Sequence, residues 1–386
     1  MELNPEVCYR ALLARDRRYD GVFFTAVKTT GVYCRPICPA RPPRPENCIF
    51  VATAAAAQAA GFRPCLRCRP ESSPDLGAWM GTSASVSRGL KLIEAGALDS
   101  GGVSALAERL GMGDRQLRRL FHQHLGASPI SVAQTRRVLL AKQLLDETRL
   151  SITEVALASG FASVRRFNET IQRLYGRAPT ALRGAAAKCE ASPAGELGLM
   201  LPYKAPYDWQ AMLAQLSGQS RSGLDRVAAG SYRRRCWLDG RNVQIEVSHQ
   251  PAASALRLCL SNLSLSHLPQ IIARVRRVFD LAADPIAIAA ALREDPLLAD
   301  LVERQPGLRI VGSWDSPDEQ AADQPSSPLH PIRASLSRLL KRPVSNEEAT
   351  SRLETWRPWD AYARYHIALA DRGDRTIGKA VYATVA

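Results

Sequence analysis

Apolar residues recur along the chain with two different periods, and the change of period divides the chain into regions. Residues 4–20 follow the period of an amphipathic helix. Shorter apolar or alanine-rich runs then predict two strands and a second helix, at residues 23–28, 49–51 and 52–60. The first region, which we place at residues 1–80, is therefore predicted to be a small α+β domain.

From residue 84 to residue 183 the pattern is that of amphipathic helices of ordinary length. Residues 103–121 and 152–167 repeat one theme, in which a helix ends at a glycine, a short turn follows, and a polar residue caps a second helix. Asp114 and Ser163 are the predicted N-caps. The arginine-rich second helices are predicted over residues 114–125 and 163–175. This region is therefore predicted to be an all-α domain with two helix-turn-helix motifs.

Composition changes again after residue 183. Residues 184–199 are rich in alanine, serine and glycine, which is typical of a linker. Alternating and helical patterns beyond it predict strands at 243–247 and 256–260 and a helix at 268–279. We expect an α+β domain over 200–282 and a helical region over 283–386, so the whole chain is predicted to be a multidomain α+β protein.

The charge of the chain indicates a polyanionic partner. The 386 residues carry a formal charge of +14, and residues 1–183 hold 26 basic and 15 acidic side chains. Positive charge concentrated in one half is typical of nucleic-acid binding. The sequence contains no apolar run of membrane length and opens without a charged-then-apolar leader, so we expect a cytoplasmic, nucleoid-associated protein with no membrane partner.

Four cysteines have the spacing of a metal site. Cys34 and Cys38 form a C-x3-C pair, and Cys65 and Cys68 form a C-x2-C pair. Two such pairs can supply four thiolate ligands to a tetrahedral Zn²⁺. Two disulfides, unligated core thiols and an iron–sulfur cluster are the competing interpretations, and short four-cysteine knuckles more often hold zinc.

Basic residues surround these cysteines and suggest a role beyond holding the fold together. Zinc with four thiolates carries a formal charge of −2, which repels a DNA phosphate unless cations lie nearby. We therefore expect this site to approach DNA. The candidate contacts are Lys28, Arg35, Arg63 and Arg67.

The first region closely resembles the N-terminal domain of the bacterial Ada family. The likeness is carried by the stretch from Phe23 to Arg41, by Thr53 and the alanines after it, and by the stretch from Gly61 to Pro70. The resemblance implies that Cys34, as the first zinc ligand, irreversibly takes a methyl group from a methylphosphotriester in DNA. Cys38, Cys65 and Cys68 are then the remaining ligands.

The helical region resembles the AraC-type DNA-binding domain, whose second helices enter successive major grooves. In each motif a Gly-x-x-Pro stretch, beginning at Gly126 and at Gly176, lies where that family closes each half. The resemblance implies base or phosphate contacts from the second helices. The candidates are Arg115, Gln116, Arg118, Arg119, Arg165, Arg166 and Asn168.

The last regions resemble AlkA, the 3-methyladenine DNA glycosylase family, whose first domain resembles the TATA-binding protein. Residues 201–209 and 306–315 carry the first part of the likeness, and residues 356–366 look like that enzyme's last helix. Only residues 316–355 are available for the helix-hairpin-helix and catalytic aspartate of that family, and Asp315 and Asp360 do not lie where the catalyst is kept. We therefore expect a shortened remnant without glycosylase activity.

Three functional hypotheses follow from the sequence. The first is a single-turnover methyl acceptor that, once methylated, binds promoters in double-stranded DNA and activates alkylation-repair genes, with RNA polymerase as a partner. The second is a zinc-stabilised AraC-type regulator without methyl transfer. The third is a bifunctional regulator that also releases 3-methyladenine.

Overall fold

The structure, a computed structural model, describes residues 3–74, 84–183, 196–219, 224–314 and 329–371. The chain divides into two compact units. Unit 1 contains Met1–Lys204 and Ser222–Arg276, and unit 2 contains Ala205–Arg221 and Arg277–Ala386. In the described part of the chain, no helix is long and apolar enough to cross a membrane.

Unit 1 begins with a small α+β domain built on a four-stranded sheet. Its helices are α1 (Pro5–Ala14) and α2 (Ala54–Ala59), and its strands are β1 (Phe24–Val27), β2 (Val32–Cys34), β3 (Cys48–Val51) and β4 (Arg63–Pro64). The strand order is β3-β1-β2-β4, with β2 and β4 parallel. Phe23 and Tyr33 are fully buried beside this sheet.

The helix predicted over residues 4–20 is shorter than expected. It ends at Ala14, because Arg15 has a left-handed backbone with φ 49°. Asp16 then accepts a hydrogen bond from the Arg18 backbone N–H and caps a separate 3₁₀ turn over Arg17–Tyr19. An aspartate at that position competes with continuation of the helix, which the apolar period alone does not reveal.

Eight helices follow in the described residues of the central region. They are α3 (Ala84–Glu94), α4 (Ala97–Ser100), α5 (Val103–Arg109), α6 (Asp114–Leu125), α7 (Pro129–Glu147), α8 (Ile152–Ala158), α9 (Val164–Tyr175) and α10 (Pro179–Leu182). The predicted second helices are confirmed as α6 and α9. Both end at a glycine with φ 66°, Gly126 and Gly176, a conformation that glycine adopts without strain.

The N-cap predictions for these helices have different outcomes. Ser163 caps α9, and its hydroxyl accepts a hydrogen bond from the backbone N–H of Arg166. Asp114 is not a cap, because Gly113 has the extended backbone of the N-cap position and Asp114 is the first helical residue. The Asp114 carboxylate instead accepts a hydrogen bond from the Ser104 hydroxyl at 2.8 Å, which joins the two helices of the first motif.

A five-stranded antiparallel sheet completes unit 1. Its strands are β5 (Glu196–Pro202), β6 (Asp225–Ala228), β7 (Ser231–Leu238), β8 (Arg241–Gln250) and β9 (Ala255–Ser261), in the order β5-β9-β8-β7-β6. The predicted strands 243–247 and 256–260 lie within β8 and β9. The linker predicted over 184–199 is wrong at its end, since residues 196–199 pair with β9 as the start of β5. Residues 184–195 lie outside the described part.

The remaining helices are α11 (Trp209–Gly218), α12 (Leu268–Val278), α13 (Pro285–Leu292), α14 (Pro296–Arg304), α15 (Leu329–Leu340), α16 (Asn346–Thr355) and α17 (Asp360–Asp371). In unit 2 the fully buried Arg309 donates to the carbonyl of Ala283 at 2.7 Å and to that of Asp280 at 3.2 Å. The helix predicted at 356–366 begins at Asp360. The shortened interval was expected at residues 316–355. Its first part, residues 316–328, lies outside the described residues, as does Asp315.

Candidate metal centre and nucleic-acid interface

Strand pairing brings the four predicted cysteine ligands together. Cys34 ends β2 and Cys65 follows β4, and these parallel strands pair Tyr33 with Pro64. The Cys65 N–H donates to the Tyr33 carbonyl at 3.1 Å, which extends the pairing up to the cysteines. With Cys38 and Cys68, the four Sγ atoms lie within 4.8 Å of one another, and all four side chains are buried.

The donor set fits zinc. Four sulfurs at about 2.3 Å from a tetrahedral ion lie roughly 3.8 Å apart, which is compatible with the spread of this cluster. Without an ion, hydrogen bonding to Cys38, Cys65 and Cys68, together with burial, raises the pKa of the Cys34 thiol. Because a buried thiol resists ionisation, a cation among the four sulfurs would be required to hold them as thiolates.

The four sulfurs differ in their backbone partners. The backbone N–H of Arg35 donates to the sulfur of Cys68 at 3.3 Å. A sulfur that accepts an N–H hydrogen bond has part of its charge stabilised and is a weaker nucleophile. The hydrogen bond from Arg35 therefore reduces the nucleophilicity of the Cys68 sulfur.

Arg35 does not lie on the surface, where the sequence analysis expected a DNA contact. Its guanidinium is buried and forms a bidentate ion pair with Asp20, in which Nε lies 2.9 Å from Oδ1. It also donates to the carbonyl of Cys68 at 3.2 Å. Arg35 therefore supports the loop that holds the cysteines. Its basic character suggested a phosphate partner because Asp20, fifteen residues away, gives no local signal of the pairing.

The other predicted cations of the first domain are exposed. Arg63 precedes the second cysteine pair and Arg67 lies between its two cysteines, and both arginines are on the surface. Lys28 is also exposed, and its Nζ donates to the carbonyl of Glu46 at 2.9 Å. These three side chains remain available to a polyanion beside the cysteine cluster.

The predicted contacts of α6 and α9 all lie on exposed helix faces, opposite buried apolar residues. Leu117 and Phe121 anchor α6, and Phe167 and Ile171 anchor α9. The exposed side chains are Arg115, Gln116, Arg118 and Arg119 on α6, and Arg165, Arg166 and Asn168 on α9. Arg165 pairs with Glu169 at 2.9 Å, and both side chains remain largely exposed.

A groove of about 1130 Å³ brings the first domain and α9 together. Arg63 lines it from β4, and Arg166 lines it from α9. Arg173, which the sequence analysis did not single out, also lines it. Arg173 lies seven residues after Arg166, so helical periodicity places both on one face and would have identified it. The groove joins basic residues of two regions that the sequence analysis treated separately.

Helix α7 forms the junction between the first domain and the helix-turn-helix region. Arg69, next to Cys68, contacts Asp146 at 3.0 Å and Glu71 at 3.1 Å, and Lys142 lies 2.5 Å from Asp146. Burial raises the pKa of Glu71 in this cluster. Farther along the interface, the Thr53 hydroxyl donates to the carbonyl of Leu125 at 2.8 Å. The loop that holds the cysteines is thus connected by ion pairs to α7 of the helix-turn-helix region.

Three regions of the chain match known domain families. The metal binding domain of Ada matches residues 7–71, a helix-turn-helix domain matches residues 106–185, and the AlkA N-terminal domain matches residues 198–315. The first match and the cluster of four cysteines together show a zinc-binding domain.

Curated relatives cover different shares of the chain. A probable bifunctional transcriptional activator/DNA repair enzyme AlkA of Mycobacterium tuberculosis is 43% identical over 80% of this chain and 63% of its own length. The bifunctional transcriptional activator/DNA repair enzyme AdaA of Bacillus subtilis is 32% identical over 47% of this chain and 84% of its own length. The chain belongs to the Ada family. It spans somewhat less than two thirds of the length of the Mycobacterium relative.

A solved structure also resembles the first domain of this Ada family member. The DNA methyl phosphotriester repair domain of Escherichia coli Ada is 50% identical, covering 18% of this chain and 76% of that chain, with a TM-score of 0.17.

Proposed function

We propose that the chain is a DNA alkylation-damage response protein, in which Cys34 accepts a methyl group from a DNA methylphosphotriester and the methylated protein activates alkylation-repair genes. The proposal rests chiefly on one observation, the cluster of four buried sulfurs to which Cys34 contributes from the end of β2. The Ada family relatives named as transcriptional activators and DNA repair enzymes support it.

Cys34, Cys38, Cys65 and Cys68 are the proposed zinc ligands. When bound, the ion lowers the pKa of the thiols and so supplies Cys34 as an anionic sulfur at neutral pH. Arg35 and Asp20 hold the loop between the first two cysteines. The backbone N–H of Arg35 stabilises negative charge on the Cys68 sulfur and so reduces the nucleophilicity of that ligand.

The transfer is a single displacement. The Cys34 sulfur forms a bond to the methyl carbon, the bond between that carbon and the ester oxygen breaks, and the electron pair remains on the phosphate as a diester anion. The exposed Arg63 and Arg67 stabilise the departing phosphate oxygen. The product is a thioether, and removal of its methyl group would have to expel a thiolate, which is a poor leaving group, so each molecule reacts once.

DNA binding by the methylated protein would use both halves of unit 1. The exposed side chains of α6 and α9 are the proposed base and phosphate contacts, and Lys28, Arg63 and Arg67 are proposed phosphate contacts beside the cysteines. Arg35 is not among them because it is buried. RNA polymerase is the proposed protein partner for activation.

Intact-mass analysis tests the proposal. The zinc-loaded protein is incubated with duplex DNA carrying methylphosphotriesters, and we expect the mass increment of one methyl group on the peptide containing Cys34. The Cys34→Ala variant takes up no methyl, whereas the matched control Cys48→Ala, which lacks a thiol outside the cluster, reacts as the parent does. A protein that binds promoter DNA and zinc but gains no mass would instead be a regulator without methyl transfer.

The match to the AlkA N-terminal domain makes a glycosylase the second candidate function. We propose that the chain lacks base excision, because residues 316–355 leave little room for a helix-hairpin-helix, and residues 329–355 are largely taken up by α15 and α16. Release of free 3-methyladenine from alkylated DNA by the purified protein would contradict this proposal.

A further inference from the structure

The outer face of the five-stranded sheet carries arginines beside an exposed tryptophan. Side chains alternate along β7, so Tyr232 is buried while Arg233, Arg235 and Trp237 lie on the opposite face. Arg226 on β6 lies directly across from Arg233 on the same face. We call these four residues the arginine face. It belongs to the region that matches the AlkA N-terminal domain, and the proposed function does not use it.

The arginine face places several positive charges close together. Two arginines directly opposite each other on neighbouring strands destabilise the pairing. Glu246 lies 3.1 Å from Arg233, but both side chains are well exposed, so this pair contributes little. By contrast Arg234, which alternates onto the inner side, pairs with Asp225 at 2.5 Å and is mostly buried. The strand therefore pairs one arginine internally and presents its neighbours outward.

Trp237 is exposed far beyond what a sheet surface requires. Its relative exposure is 69%, the largest among the exposed large apolar residues of the described chain. It lies two residues after Arg235, so the two side chains stand about 6.8 Å apart along the strand. An aromatic ring at the end of an arginine row offers a stacking surface next to cationic groups.

The surface around these residues is open and shallow. A groove of about 670 Å³ is lined by Arg226, Arg233 and Arg235, by Gln244 and Ser261 on the strands beyond, and by the acidic residues Glu196, Asp225 and Glu246. With Arg234, four arginines and three carboxylates line the groove beside Leu224, Ile245 and Cys259, so its net charge is positive and it suits an anionic ligand better than an apolar one. A chain of phosphates with accessible bases satisfies both parts of the face, since phosphates pair with arginines and a base stacks on tryptophan.

We propose that the arginine face binds single-stranded DNA. Arg226, Arg233 and Arg235 contact consecutive phosphates, and an unpaired base stacks on Trp237. Duplex DNA is the poorer ligand, because its bases are already stacked and a flat sheet face reaches only its phosphates. This binding is separate from methyl transfer at Cys34 and from the helix-turn-helix contacts, so either proposal can fail without the other.

Fluorescence anisotropy with a labelled oligothymidylate and a duplex of equal length tests this inference on the full zinc-loaded chain. We expect Trp237→Ala to weaken binding to the single strand about tenfold and Trp237→Phe to retain most of it. For the double variant Arg233→Gln/Arg235→Gln, the slope of log affinity against log salt falls by about 1.4. Duplex affinity changes little in all three variants.

Charge-matched controls separate the face from the general positive charge of the protein. Arg293→Gln/Arg304→Gln removes two exposed arginines of unit 2 and leaves single-strand binding unchanged. Equal losses in this control and in the face variant would overturn the inference, as would unchanged binding by Trp237→Ala. Equal losses for duplex and single strand would also overturn it. If sedimentation instead shows a dimer that Trp237→Ala dissociates, the face binds a second copy of the chain and the inference is wrong.

Discussion

Burial decides what each arginine near the cysteine cluster does. Arg35 and Arg63 are both close to ligand cysteines in sequence, yet Arg35 is buried against Asp20 while Arg63 is exposed on β4. A buried guanidinium requires a compensating carboxylate, because desolvation of an unpaired charge costs several kcal/mol. The Arg35–Asp20 pair is therefore required for the stability of the loop that holds the cysteines.

Removing the carboxylate from this pair tests that requirement. Asp20→Asn leaves a buried guanidinium without its counter-charge, and we expect the free energy of unfolding of the zinc domain to fall by about 3 kcal/mol. The urea dependence of zinc release to a chromophoric chelator measures it. Asp16→Asn is the matched control, since the Asp16–Arg18 pair is exposed on the arginine side and contributes little to stability. Equal effects of the two substitutions would contradict this account.

At the scale of elements, α7 connects all parts of unit 1. In its last turns, Asp146 forms an ion pair with Arg69 from the loop that holds the cysteines. The Gln143 amide donates to the Met200 carbonyl of β5 at 2.7 Å. The Met200 N–H in turn donates to Glu147 at 2.9 Å. The backbone N–H and C=O of Met200, on the edge strand β5, are thus both hydrogen-bonded to side chains of α7. Several carboxylates gather here at low exposure, and burial raises the pKa of both Glu71 and Glu147.

The raised pKa of Glu71 predicts a pH dependence with a defined sign. Because the folded state holds the Glu71 proton more tightly than the unfolded state, the contribution of Glu71 to stability is complete below the ordinary pKa of 4.5 and falls as pH rises through the raised value. As pH rises from the ordinary pKa to the raised pKa, we expect the free energy of unfolding of the parent to fall relative to that of Glu71→Gln. Urea unfolding at a series of pH values measures this difference.

Glu154 provides the control with the opposite sign. Its pKa is lowered by the hydrogen bond from the Ser151 backbone in the capping box of α8, so its contribution is present at neutral pH and is lost as pH falls. Glu154→Gln removes a contribution that grows with pH, whereas Glu71→Gln removes one that declines. The same trend in both variants would contradict the assignment for Glu71.

The elements that sequence could predict are those specified by local pattern. The apolar period of α6 and α9, the cap at Ser163 and the spacing within each cysteine pair each depend on residues that are close together in the sequence. The failures depend on distant partners. Residues 196–199 form a strand because β9 lies some sixty residues later, and Asp20 neutralises Arg35 across the first domain. Neither pairing leaves a periodic signal in the chain.

At the scale of the whole molecule, the proposed methyl transfer would change the charge that the cysteine cluster presents to DNA. Methylation of one sulfur removes one negative charge from the cluster. At about 6 Å and an effective dielectric of about 20, that charge is worth roughly 3 kcal/mol, on the order of a hundredfold in affinity. If Cys34 is the acceptor, repair therefore increases the affinity of the chain for DNA.

Measuring duplex affinity before and after reaction tests this consequence. We expect methylated protein to bind its promoter up to about a hundredfold more tightly at low salt, with a smaller gain at higher salt because exposed charges are screened over about 10 Å at 0.1 M. Cys34→Ala, exposed to the same methylated DNA, shows no gain. An identical gain at all salt concentrations would mean that the effect is not electrostatic.

The length of α7 has a geometric consequence for the sites that the protein can occupy. Its 19 residues span about 28 Å as a rigid rod, close to the roughly 34 Å of one turn of duplex. Each residue added to it would rotate everything beyond the insertion by about 100°. Two extra residues would carry α9 to the far side of the rod, while a four-residue addition would nearly restore its direction but shift it by about 6 Å. In the proposed complex with DNA, the length of α7 would therefore set the spacing between the two grooves that α6 and α9 enter.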